Sequence, residues 1–122
     1  MTSIRALTLI LEEPSRAAAA LRDALGWSIE ADFGSFAALT APSGIPLWLN
    51  APDPGGETAR GVVLHVTSED VDADFSRALE RGAEAVREPA DMDFGERSAV
   101  VRLAAVPGVT IDFSHPLGGG EA

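Results

Sequence analysis

Two hydrophobic periods alternate along this chain. Ile4 to Leu11 is a branched, apolar run that predicts a strand, with Leu7, Leu9 and Leu11 on one face and Ala6, Thr8 and Ile10 on the other. Neither face is strongly polar, so this strand is expected to be covered on both sides. The period then changes: Ala17, Leu21, Ala24 and Leu25 recur at helical spacing within an alanine-rich stretch, Arg16 to Leu25. Pro14 suits the first turn of that helix and Gly26 its C-terminal end. Three short strands are predicted next, Trp27 to Ala31, Phe36 to Thr40 and Pro46 to Asn50, separated by Asp32-Phe33-Gly34 and Pro42-Ser43-Gly44.

After Ala51-Pro52-Asp53-Pro54-Gly55-Gly56 the order starts again. Gly61 to Val66 reads as a strand, and Thr67-Ser68-Glu69-Asp70 supplies capping groups for a helix. That helix carries Val71, Phe75, Ala78 and Leu79 on one stripe and ends at Gly82. Strands follow near Ala83 to Val86, at Ser98 to Leu103 and at Val109 to His115, with a loop through Pro89 and Asp91 and a tight turn at Pro107-Gly108. The class is α+β. A single domain is expected over 1–122, made of modules 1–52 and 60–117, a linker at 53–59 and a flexible tail at 118–122. A ferredoxin-like sandwich uses the same elements but needs fewer strands.

Composition narrows the chemistry. The chain has 122 residues, 46% hydrophobic and 23% charged, as a folded domain requires. It has no cysteine, which excludes disulfides, thiolate nucleophiles and Cys-based zinc sites. All nine basic residues are arginines, so a Schiff-base lysine is impossible. The formal net charge of −10 disfavours nucleic acid, anionic membranes and polyphosphate ligands, and suits a neutral or cationic one. The first apolar run is too short for a signal peptide, and nothing approaches the roughly 20 apolar residues of a membrane span, so a cytoplasmic protein is expected. No Gly-x-Ser-x-Gly elbow, phosphate loop or dinucleotide fingerprint occurs.

Several segments, in this order, resemble a known superfamily. They are Ala6-Leu7-Thr8-Leu9-Ile10-Leu11, then Glu12-Glu13-Pro14-Ser15-Arg16, then Leu21 to Trp27. The second half adds His65-Val66, Asp70-Val71-Asp72-Ala73, Leu79 to Gly82, Phe94-Gly95-Glu96-Arg97-Ser98 and Pro107 to Phe113. The pattern is similar to the vicinal oxygen chelate superfamily, which holds glyoxalases, extradiol dioxygenases and bleomycin-resistance proteins. The resemblance implies two βαβββ modules whose curved mixed sheets form an open half-barrel cleft, and it implies a homodimer.

Enzymes of that superfamily hold a divalent metal through the first and last strands of each module. Those positions fall here on Ala6, Trp48, Gly61 and Asp112, of which only Asp112 offers a donor. Three protein ligands are the usual minimum, so no metal or other cofactor is expected. The resemblance then points to the metal-free, binding-type members. Thr8, Trp48, Asn50, His65, Thr110 and Asp112 are expected to face the concave side, and Phe94 and Arg97 to border it. Trp48 suits stacking on a planar or cationic ligand. Arg97 suits a ligand carboxylate or an ion pair with Asp91 or Asp93. Phe33 and Phe36 take a matching rim role in the first half. The expected function is binding of a small molecule. The competing ones are a lyase, isomerase or dioxygenase with an unusual site that uses His65 or Asp112, and an interaction module.

Overall fold

The computed structural model describes residues 1–42 and 44–117. Ser43, in the predicted break Pro42-Ser43-Gly44, and the expected tail at 118–122 lie outside the described residues. The chain divides into two compact units: residues 1–60 with Ala105–Gly108, and residues from Gly61 to Ala104 with the segment beginning at Val109.

The first unit contains β1 (Leu7–Ile10), α1 (Pro14–Leu25), β2 (Ser28–Asp32), β3 (Phe36–Thr40) and β4 (Leu47–Asn50). Its sheet has the order β1-β4-β3-β2, with β1 parallel to β4 and the other pairs antiparallel. One face is dry. Leu9, Leu39, Leu47 and Leu49 are buried there, with Ala17, Ala18 and Leu21 of α1 also buried. Alanines let the helix backbone come close to the sheet, and each fully buried leucine contributes roughly 2 kcal/mol. Gly26 closes α1 at φ 76°, its N–H bonded to the Arg22 carbonyl at 2.7 Å.

The expectation that the first strand is covered on both sides does not hold. Leu9 and Leu11 are buried, but Thr8 is exposed and Ile10 only half-buried. The face that carries them is the open face of the sheet.

The second unit repeats the order: β5 (Val62–Thr67), α2 (Val71–Glu80), β6 (Glu84–Asp91), β7 (Glu96–Arg102) and β8 (Val109–Pro116). Its sheet runs β5-β8-β7-β6, again with one parallel pair, β5 and β8. The Asp70 side chain caps α2 by accepting from the Ala73 N–H at 3.1 Å. Val71, Phe75 and Ala78 of the predicted stripe are buried with Ala99, Val101, Ile111 and Phe113. Two four-stranded mixed sheets, neither closed into a barrel, rule out the ferredoxin-like alternative and give two βαβββ modules.

The third strand of this unit differs from its prediction. The sequence suggests a strand at Ala83 to Val86 and then a loop, whereas β6 continues through Pro89 to Asp91. The strand lies at the sheet edge, with register shifts between Ala85 and Arg87 and between Arg87 and Ala90. Pro89 falls in the second irregularity, where its missing N–H breaks no ladder bond. Among the described residues, no helix is long and apolar enough to cross a membrane.

Candidate functional site

Strand register determines which side chains meet on the open face of the first unit. β1 and β4 align Thr8 with Trp48 and Ile10 with Asn50. β3 then places Ala38 beside Trp48 and Phe36 beside Asn50. Alternation sends these residues to the face opposite the buried leucines. A pocket of about 560 Å³ opens there, lined by Thr8, Ile10, Phe36, Trp48 and Asn50 and by Asp53 and Glu57 of the segment after β4. That segment folds back onto the sheet. The Gly56 N–H bonds to the Asp53 carbonyl, and the Ala59 N–H to the Ile10 carbonyl, both at 2.7 Å.

Aromatic contacts organise this wall. Phe36 meets Trp48 edge-on, with centroids 6.1 Å apart, and stacks on Phe33 at 6.4 Å. The Arg5 guanidinium lies over the indole of Trp48, 5.1 Å from its centroid. The ring face is therefore already in contact with a planar cation from the protein itself.

On the second unit, β5 and β8 align His65 with Asp112 and Val63 with Thr110. Here the face is polar. His65 Nδ1 is 2.8 Å from Asp112 Oδ2, Ser98 Oγ donates to Asp112 Oδ1 at 2.6 Å, and Arg87 Nη2 donates to Ser98 Oγ. Ser98 and Asp112 are buried, while the imidazole is 70% exposed.

The structure therefore gathers Thr8, Trp48 and Asn50 around one pocket, and His65, Asp112 and the neighbouring Thr110 on one face of the other sheet. Phe94 and Arg97 join neither group. Phe94 is exposed in the turn between β6 and β7, where the Gly95 N–H bonds to the Met92 carbonyl at 3.1 Å. Arg97 is engaged by two carboxylates: Nε and Nη2 bond to Asp72 at 2.8 and 2.9 Å, and Nη1 to Asp91 at 2.9 Å. These bonds push the Arg97 guanidinium further above its already high range and hold the Asp72 carboxyl below the ordinary one. Asp32 is also lowered, first by the Ser15 hydroxyl and then by the Gly34 N–H. Sequence reasoning anticipated Asp91 but not Asp72, which lies on α2. It also missed Asp53 and Glu57, because a Pro-Gly-rich stretch gives no sign that it returns to a sheet.

A family model described as a glyoxalase-like domain matches residues 6–107. The chain belongs to this glyoxalase-like family. Solved structures share its fold at low identity. A glyoxalase/bleomycin resistance protein/dioxygenase from Nocardioides is 21% identical with a TM-score of 0.79, covering 98% of this chain and 87% of that one. TioX from Micromonospora sp. ML1 is 23% identical, with a TM-score of 0.73 and coverage of 95% and 100%. TnmS3 from Streptomyces sp. CB03234, described as an antibiotic binding protein, is 22% identical, with a TM-score of 0.74 and coverage of 95% and 97%. No curated protein matches the chain in sequence.

The superfamily's metal does not fit the residues of this glyoxalase-like chain. Ala6, Trp48 and Gly61 bring no suitable donor to the expected positions. The remaining candidate, Asp112, already has one oxygen bonded to His65 and the other to Ser98. Among the described residues, no three His, Asp or Glu side chains are grouped to hold a metal ion.

Proposed function

We propose that this glyoxalase-like protein binds a small planar or cationic aromatic molecule in the pocket of its first unit, without a metal. The observation that carries this reading is the wall made by Phe36 and Trp48 above an opening of about 560 Å³. That size suits a small-molecule ligand. The indole offers a flat, electron-rich face, and Arg5 already exploits it as a cation would. Thr8 and Asn50 supply hydroxyl and amide groups to orient a guest, and Asp53 and Glu57 supply negative charge at its border. The net charge of −10 favours the same class of ligand. The antibiotic-binding description of TnmS3, a similar fold, lends support from outside the chain. We also take the protein to be a homodimer, since each sheet presents unpaired edge strands.

Calorimetric titration with a planar aromatic cation such as proflavine, and with a cationic glycopeptide such as bleomycin, tests the proposal. Saturable binding with one site per chain is expected for at least one of them. No heat at millimolar ligand, with the folded state verified, rejects the reading.

A further inference from the structure

The second unit contains a hydrogen-bond chain whose direction can be deduced. Arg87 has only donors to offer and gives one to Ser98 Oγ. The Ser98 hydrogen goes in turn to Asp112 Oδ1 at 2.6 Å. A carboxylate offers only acceptors, so the donor to the other oxygen of Asp112 is the group that faces it. His65 Nδ1, at 2.8 Å, therefore carries the ring hydrogen. A neutral imidazole has one such hydrogen, so Nε2 keeps its lone pair. The ring is 70% exposed, and among the described residues no donor reaches Nε2. Ser98 and Asp112 are buried polar groups whose hydrogen bonds end on this one imidazole.

We propose that His65 is a general base, with Asp112, Ser98 and Arg87 as positioning residues, acting on an uncharged carbon acid. Nε2 forms a bond to the proton as the substrate C–H bond breaks, and the electron pair stays on the substrate. The imidazolium is balanced by the Asp112 carboxylate and returns its proton to product or to water. A neutral substrate suits a chain of net charge −10, which repels anions. This site uses no residue of the first unit's pocket, so it stands or falls independently of the binding reading.

The probe is 5-nitrobenzisoxazole, whose C–H proton loss opens the ring to a coloured phenolate and needs no co-reactant. With the full chain, His65→Gln is expected to lower the rate about 100-fold. Asp112→Asn, whose amide can donate to Nδ1, is expected to lower it at least about tenfold. His115→Gln, at the other histidine, should leave it unchanged. Nitrogen-15 NMR of the unmodified protein supplies a second measurement that needs no variant to fold: the neutral His65 ring should show Nδ1–H. A folded His65→Gln protein with undiminished rate overturns the proposal, and so does an Nε2–H ring in the unmodified protein.

Discussion

Trp48 falls where the resemblance to the superfamily leads one to expect a metal ligand, and an indole in place of a donor atom changes what such a position can hold. An ion needs several converging donors, whereas an indole needs one flat partner. Arg5 supplies that partner from within the chain. Trp48→Ala should therefore weaken proflavine binding by about 0.5–2 kcal/mol, roughly 2- to 30-fold, in calorimetry. Arg5→Ala should do the reverse and tighten it, because the incoming cation no longer displaces a resident one. Equal affinity in all three proteins would remove Trp48 from the site. A second residue-scale expectation concerns Gly108. It sits at φ 84°, and an added Cβ would lie 2.0 Å from the carbonyl oxygen of Ala59. Gly108→Ala combines left-handed backbone strain with that collision and should cost roughly 3 kcal/mol in denaturant unfolding. The turn itself was legible from Pro107-Gly108, but the close approach of Ala59 was not, since it joins positions far apart in sequence.

At the scale of elements, periodicity served well wherever one face is buried. Both helices, the strand at Phe36 to Thr40 and the last strand of each unit lie close to where their apolar spacing puts them. It failed at β6, where no buried stripe alternates and a proline argues for a loop. On the strands, the superfamily resemblance put Thr8, Trp48 and Asn50 on one side, and the β1–β4 register does bring them to one face. The contribution of Asp53 and Glu57 was not legible, because a connecting segment has no period to read. The engagement of Arg97 by Asp72 is equally invisible to spacing, yet it ties α2 to β7 and, through Asp91, to β6. Because Arg97 holds the Asp72 carboxyl below its ordinary range, the unfolded chain binds that proton more tightly than the folded one. The stabilisation is fully present above the unfolded carboxyl range, near pH 4, and is lost as pH falls through the lower folded value. Acid unfolding followed by circular dichroism should show Asp72→Asn losing stability relative to the unmodified chain at pH 6, with the gap closing toward pH 2. A constant gap would mean that the ion pair is not its source.

For the whole molecule, fold and family were both readable, because order and spacing of elements survive where single residues do not. The ligand was not readable, since 22% identity to an antibiotic-binding fold conveys architecture and not contacts. Sedimentation equilibrium at micromolar concentration should give twice the chain mass, and a single-chain mass would remove the homodimer. The form of that pairing has one built-in constraint. β6, with its proline and its two register slips, is a poor template for a foreign strand. A second copy that extends this sheet by backbone zippering must approach the other border, along Val62–Thr67. Proline scanning of those six residues would then split the pair, while the same changes along Glu84–Asp91 would leave it joined.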